Sequence, residues 1–425
     1  MPAIDADPEK ARAFARDVVV RLRGAGHEAL WAGGCVRDEL LGRTPADYDV
    51  ATSARPDEVR ALFGRSRTLA LGAAFGVITV VGPRGSGQVE VTTFRTDAAY
   101  SDGRHPEAVA FSTAREDAQR RDFTINGLFL DPLDGAVHDH VGGRADLAAG
   151  VIRAIGEPAL RFGEDHLRML RAVRFAAGFG FVLEAATRAA VERFASLVLT
   201  VSPERIAAEL RAMFSRPGRG PALHLLRDTG LFDVLFPEFA ADAGGSPGPA
   251  WAERARRLDA LDEPSLPAAL AVFAEGAAAR LPGVVARLRL SNREGAAAVW
   301  LRAALDAFDD PTAPSPPDRR WSTVQPWLAH RDAPLLADAL RARAALGGPE
   351  REALARWVGA RLELPRAELD PPPLLGGDDL RRAGFAPGPA LGATLARLRA
   401  LQLDGVVQGA QEARAWLAGQ PRPPS

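Results

Sequence analysis

Near residue 145 the sequence changes rhythm, and few folds accommodate the change. Before that point short apolar runs are punctuated by Gly, Asp and Pro; after it, apolar residues recur three and four apart. The first pattern suits short strands and turns, the second amphipathic helices. Residues 8–23 read as a helix ending at Gly24-Ala25-Gly26, and 28–32 as a short strand running into Gly33-Gly34. VRDELLGR reads as a helical turn, DYDVATSA as a strand leaving it, and 57–63 as a helix. Two further β segments, 75–82 and 88–95, flank the turn PRGSG. Beyond 145, HLRMLRAVRFAAGF, EAATRAAVERFASL and PERIAAELRAMFS carry helical spacing, and no strand is expected in the Ala/Leu/Arg-rich remainder. The expected architecture is a mixed α+β head followed by a long all-α region.

At 425 residues the chain calls for two to four structural units. Pro- and Gly-rich breaks at 243–249, 310–318 and 370–377 are candidate linkers. Net charge is -1, so the chain as a whole announces no polyanion partner, although charge gathered on one face still binds RNA. Lys10 is the only lysine, and Arg carries the remaining positive charge. Cys35 is the only cysteine, which argues against a disulfide or a cysteine-based zinc site. No apolar run approaches the roughly 18 residues of a membrane helix, and no signal-peptide pattern is visible, so a cytoplasmic protein without a membrane partner is expected.

The chemistry concentrates in the head. Gly33-Gly34 is followed, after twelve residues, by Asp47-Tyr48-Asp49. Two carboxylates two apart on a strand point to one side, and such a pair can bridge divalent cations roughly 4 Å apart. Mg²⁺ takes oxygen ligands and keeps substrate phosphates in its shell. A Gly-Gly turn entering a helix offers backbone N–H groups to a triphosphate, with Arg37 in reach. Glu90, between Val89 and Val91 on an apolar strand, is either a solvent-facing residue or a third acidic group of the site. Alone, a DxD or a Gly-Gly pair is commonplace; their combination at this spacing is specific.

These residues resemble the DNA polymerase β nucleotidyltransferase superfamily, in which a Gly-Gly or Gly-Ser turn precedes a DxD strand and a third carboxylate. The rest of the first half resembles the bacterial and eukaryotic CCA-adding enzymes and bacterial poly(A) polymerases more narrowly. Arg120-Arg121-Asp122-Phe-Thr-Ile-Asn126 is similar to their motif B, and Glu164-Asp165-His-Leu-Arg168 to their EDxxR motif. Ser202-Pro-Glu204-Arg205 through Glu209 and LRDTGLFDVLFPE at 226–238 follow in the family's order. The resemblance implies a polymerase β-type head with a mixed sheet (1–145), a helical neck (146–220), a helical body (221–315) and a helical tail (316–425).

It also implies roles. Asp47, Asp49 and Glu90 would be catalytic, with Asp47 and Asp49 as Mg²⁺ ligands. Gly33, Gly34, Arg37, Arg121, Asp122 and Asn126 would bind the sugar and phosphates of the incoming nucleotide, unless Asn126 serves to fix its turn. Asp165 would accept from the exocyclic amine of C or A, and Arg168 would donate to the ring edge, oriented by Glu164. Helical spacing would put Asp165 and Arg168 one turn apart on one helix, with Arg171 and Arg174 extending a basic stripe towards nucleotide or RNA phosphates. Arg205 and Glu209, four apart, read as a brace for the neck helix. The segment 95–115 is where the family carries a mobile loop.

The implied reaction is template-independent addition of C and A from CTP and ATP to the 3′ end of tRNA, gripped by its acceptor stem and T arm. The 3′-OH attacks the α-phosphate in line and pyrophosphate leaves. A partial enzyme adding only CC or only A, and a poly(A) polymerase, share all these motifs. A decayed RNA-binding protein is opposed by the intact acidic residues, and a small-molecule nucleotidyltransferase has no need of EDxxR or a helical arm. Of seven His, only His224 and His330 lie beyond residue 200, which excludes the His/Asp phosphohydrolase domain of some relatives; His138-x-His140 reads as a strand edge. The Trp residues at 251, 300, 321, 327, 357 and 416 are expected in helix packing.

Overall fold

A computed structural model describes residues 7–97, 109–240, 249–310 and 312–420, in two compact units, Met1–Pro237 and Glu238–Ser425. The first unit opens with helix α1 (Pro8–Gly24), started by Asp7, whose carboxylate accepts from the N–H groups of Glu9 and Lys10. Strand β1 (Ala29–Ala32) leads through Gly33 into α2 (Gly34–Leu40), and β2 (Tyr48–Thr52) returns antiparallel to β1. Then come α3 (Pro56–Phe63), β3 (Thr68–Gly72), β4 (Val77–Val81), β5 (Gln88–Thr93), β6 (Arg95–Asp97), β7 (Val109–Phe111), α4 (Ala114–Gln119), β8 (Leu128–Leu130) and β9 (Val137–Asp139). Seven strands form one mixed sheet in the order β3-β4-β5-β2-β1-β8-β9, while β6 and β7 pair separately.

Side-chain alternation gives the sheet two faces. Trp31, Tyr48 and Val50 lie on one, with Arg12 of α1 over the Trp31 ring and the Trp31 and Tyr48 rings 4.7 Å apart. Leu30, Ala32, Ala51 and Phe129 lie on the other and pack under Ala114 and Ala118 of α4. Asp49 sits two residues before Ala51 on β2, so it shares this second face. Thr113 caps α4 in a reciprocal pairing with Glu116, which fixes where that cover starts. The edge strand β3 and the short β8 carried no clear sequence signal; in β3 Leu71 is almost fully exposed, so its apolar residues do not mark a buried face.

The helical part begins with α5 (Gly143–Ala149), α6 (Pro158–Glu164) and α7 (Leu167–Phe179). It continues with α8 (Ala185–Phe194), α9 (Pro203–Phe214), α10 (Arg219–Asp228) and α11 (Leu231–Leu235). Two expectations need correction. A parallel pair of two-residue strands, β10 (Val151–Ile152) and β11 (Val182–Leu183), lies within the stretch expected to hold no strand; two residues are too few for alternation to show. The helix expected to carry both Asp165 and Arg168 is two helices, broken at Asp165, which is extended (φ -152°, ψ 105°). Its carboxylate accepts from the Leu167 N–H at 3.1 Å, satisfying the start of α7 instead of continuing α6.

The second unit is helical throughout its described residues. Leu266–Phe273 is buried on every side and starts at Ser265, whose hydroxyl accepts from the Ala268 N–H; Ser291 and Glu294 form the reciprocal cap of Asn292–Asp309. Asp338, buried, accepts from the N–H groups of Asp262 and Glu263, joining distant turns. The described part of the break 310–318 includes a 3-10 turn at Pro316–Asp318, the break 370–377 leads into the helix Gly377–Arg382, and residues 375–417 build a separate apolar cluster around Leu380, Phe385 and Leu398. Trp251 is buried, whereas the other five Trp of this unit are half-buried. Most of the 243–249 break, and 98–108 of the expected loop, lie outside the described residues. No described helix is long and apolar enough to cross a membrane.

Candidate active site

Parallel pairing of β2 with β5 sets Asp49 directly opposite Glu90, and Asp47 lies two residues before Asp49 on the same side. Asp49 is half-buried while Asp47 and Glu90 are exposed. Burial raises the Asp49 carboxyl, and the neighbouring charges of Asp47 and Glu90 add to it, bringing it to about 7 despite Arg121. Three acidic groups therefore share a place that a cation would stabilise. Among the described residues no three His, Cys, Asp or Glu side chains are gathered so as to hold a metal ion by themselves. Carboxylates open to solvent fit an ion that keeps water and phosphate oxygens in its shell, as Mg²⁺ does, better than a structural zinc.

A cavity of about 620 Å³ opens on these carboxylates and is lined on its other sides by arginines. Gly33, Gly34, Arg37, Asp47, Asp49, Glu90, Arg121, Asp122, Asn126, Asp165, Arg168, Arg171, Arg174 and Arg205 all line it; of the residues expected in the site, Glu164 and Glu209 do not. Gly33 has φ +74°, and a Cβ there would lie 2.6 Å from Nη1 of Arg121, so only glycine leaves the turn and this arginine in place.

Behind the lining runs a continuous chain of hydrogen bonds. Arg37 donates to Asn126 (2.7 Å), Asn126 donates to Asp122 (2.9 Å), and Arg171 donates twice to Asp122 (2.8 and 2.6 Å). Arg171 also lies 3.5 Å from Glu209, which takes Arg174 at 2.6 Å. Burial alone would raise Asp122, but Arg171, Asn126 and the Phe123 N–H hold it at about 2. The same ion pair, with Glu209, holds Arg171 above the ordinary arginine value against burial. Arg37, Arg171 and Arg174 each lie over the Phe175 ring, at 5.3, 5.3 and 4.2 Å.

The EDxxR residues are held apart. Arg168 pairs with Glu164 at 2.5 Å and donates to the carbonyls of Arg161 and Arg120, while Asp165 is paired with Arg205 at 2.7 Å. Arg205 and Glu209, read from the sequence as a brace, reach from α9 to Asp165 and to Arg171 and Arg174 of α7.

Sequence reasoning missed Asp117. Its side chain is fully buried and takes Arg120 at 2.7 Å and Arg121 at 3.0 Å. The signal was available, since Asp117 precedes these arginines by three and four residues, a helix-face spacing. It also missed Arg95 and Arg120 as lining residues, and Phe175 as the ring beneath Arg37, Arg171 and Arg174.

A family described as "Poly A polymerase head domain" matches residues 29–153, and one described as "Probable RNA and SrmB- binding site of polymerase A" matches 180–242. A CCA-adding enzyme of Geobacillus kaustophilus is 35% identical over 418 residues, 94% of this chain and 95% of that enzyme. This chain belongs to the CCA-adding enzyme family. A second member, from Geobacillus thermodenitrificans, is 43% identical over 219 residues, so the match spans only 51% of this chain and 53% of that enzyme. The structure of the Bacillus stearothermophilus CCA-adding enzyme in complex with CTP matches with a TM-score of 0.74 at 29% identity, over 96% of each chain. In this family member the head match contains Asp47, Asp49, Glu90 and Asp122, and the resemblance extends into the helical second unit.

Two outcomes follow from this geometry. Because the folded value of Asp49 lies above that of an unfolded Asp, its contribution favours the folded protein below about pH 4 and fades as pH rises through about 7, unless a cation neutralises the trio. Mg²⁺ binding should accordingly release protons near pH 7 and weaken about tenfold per pH unit well below it; calorimetry in buffers of different ionisation heat measures this, and pH-independent binding between roughly 5.5 and 8 would contradict it. Asp117→Asn should destabilise the protein by roughly 3 kcal/mol in denaturant unfolding, because two arginines lose their buried counter-charge. A loss under about 1 kcal/mol, the scale of an exposed ion pair, would mean they find other partners.

Proposed function

We propose that this protein adds C and A nucleotides, from CTP and ATP, to the 3′ end of tRNA without a nucleic acid template. The observation that carries this reading is the pairing of Asp49 with Glu90 beside Asp47, facing an arginine-lined cavity, in a chain alignable almost end to end with a CCA-adding enzyme. In the proposed site Asp47 and Asp49 hold Mg²⁺, with Glu90 completing the acidic face. Bound there, the metal supplies a lowered pKa for the attacking 3′-hydroxyl and charge neutralisation for the leaving pyrophosphate. The residues do the remaining work by position and charge. The Gly33-Gly34 turn lets the triphosphate approach the backbone, Arg121 and Arg37 face its phosphates, and Asp122 with Asn126 sets the ribose side.

Asp165 and Arg168 would present one acceptor and one donor to the base, a pattern that C and A meet with an amine beside a ring acceptor and that G and U do not. Glu164 and Arg205 fix these two groups before a nucleotide arrives. A finer division into head 1–145, neck 146–220, body 221–315 and tail 316–425 belongs to the same proposal, with body and tail holding the acceptor stem and T arm by shape and phosphates. So does a cytoplasmic location, where tRNA is the substrate at hand.

Purified protein with Mg²⁺, CTP and ATP should complete CCA on tRNA transcripts ending at the discriminator base, at C and at CC, each product being sized to one nucleotide. Stopping at CC, adding A only to the CC-ended transcript, or making long A tails would replace the full activity by a partial or poly(A) one. Asp47→Ala and Asp49→Ala should each abolish addition while tRNA binding by filter assay persists; activity in the double variant would remove the metal assignment. Asp165→Ala should cut the preference for CTP and ATP over UTP and GTP by at least tenfold in kcat/KM, about 1.4 kcal/mol, roughly one base-edge hydrogen bond to a charged group. Unchanged selectivity would count against a protein-borne template.

A further inference from the structure

A second cavity, of about 410 Å³, shares Arg37, Arg174 and Phe175 with the carboxylate-bearing one. Its other charged lining residues are Asp38, Arg43 and Arg216. Arg37 takes up Asp38 at 2.8 Å and Glu209 takes up Arg174, which leaves Arg43 and Arg216 with no ion-pair partner among the described residues. Arg37 and Arg43 both lie over the Phe179 ring, at 4.6 and 4.9 Å. Arg174 is held below the ordinary arginine value by burial and, against Glu209, by Arg171 and Arg216. The wall carrying Arg216 is tightly seated: Gly218 has φ +87°, and a Cβ there would lie 2.3 Å from the carbonyl oxygen of Ala177 at the end of α7. Four arginines therefore meet around one space with too few carboxylates to balance them, which is how a site for an anion is built.

We propose that this cavity binds backbone phosphates of the RNA acceptor strand just upstream of its 3′-hydroxyl. The proposal rests on the transfer reaction argued above. A strand whose 3′ end reaches Asp49 must leave the first cavity along an adjoining surface, and the second cavity adjoins it through Arg37, Arg174 and Phe175. The released pyrophosphate offers the same chemistry. Phe179 and Met213 beside the arginines favour a nucleotide, with its apolar sugar and base, over a bare inorganic anion.

The test is equilibrium binding, without nucleotide, of a tRNA transcript ending in CC and of the same transcript trimmed of all unpaired 3′ nucleotides. The full-length protein should bind the CC-ended transcript more tightly. Arg43→Ala with Arg216→Ala should weaken CC-ended binding roughly tenfold, lower its salt slope by about 1.4, and leave the trimmed transcript unaffected. The Arg43→Lys, Arg216→Lys protein should keep most of the affinity, which separates lost charge from lost fold. Equal losses for both transcripts, no gap in the unsubstituted protein, or no loss at all would overturn the proposal. Weaker inhibition by pyrophosphate with RNA binding intact would reassign the cavity to the product. Because binding needs no turnover, a protein that transfers nothing yet shows the gap loses the activity and keeps this site.

Discussion

Arg171 reaches from α7 back to Asp122, 49 residues earlier in the chain, and closes on it with two nitrogens. Asp122 follows α4, the helix that covers the sheet, and Arg171 stands on α7. The pair thus joins the face bearing Asp49 and Glu90 to the helix bearing Arg168. Through Asn126 it holds Arg37 on α2, and through Glu209 it holds Arg174 and the facing helix α9. Removing Asp122 would leave Arg171 with only the longer contact to Glu209 and Asn126 without its acceptor; with a third of the Arg171 side chain exposed, the cost falls towards the lower end of roughly 3–5 kcal/mol. The geometry of the cavity is therefore set by one network and not by separate contacts.

That network makes the cavity electrostatically divided. One side carries carboxylates whose mutual repulsion and burial push Asp49 up to about 7; the other carries arginines. Neither side cancels the other fully, since most of the arginines are committed to Asp117, Asp122, Glu164 and Glu209. What remains is a place that wants a cation on one wall and an anion on the other. A metal–triphosphate satisfies both at once, and a metal or a phosphate alone satisfies only half.

Alternation along a strand is a local rule, so Asp47 and Asp49 could be assigned to one side from the sequence, whereas Glu90 could be read there equally as solvent-facing or as part of the site. That β5 lies beside β2, in parallel and with Glu90 against Asp49, is a non-local fact that spacing does not contain. The expectation of one continuous helix through EDxxR was overturned for a related reason, although Asp165 and Arg168 still line one cavity. Helical spacing is the default inference from Glu164 through Arg168, yet Asp165 can serve the following helix's free N–H, and that local competition broke the helix. Asp117 was visible at helix spacing but was overlooked because it lacks a substrate-facing role; buried groups that position others leave their mark only in packing. The two-residue strands β10 and β11 were beyond any periodicity argument.

The near absence of lysine bears on how such a site can be rigid. Arg121 donates to Asp117 and to the Asn126 carbonyl, Arg168 to Glu164 and two carbonyls, and Arg37 to Asp38 and Asn126 while stacking on Phe179. Each guanidinium uses several of its five N–H groups in a fixed plane, which an ammonium with three rotatable protons cannot reproduce. An arginine-rich composition therefore suits this cavity, because groups that must present a fixed hydrogen-bonding edge are held from two or three sides before any ligand arrives. The cost of ordering them is met in folding, so a ligand that meets them does not bear it again.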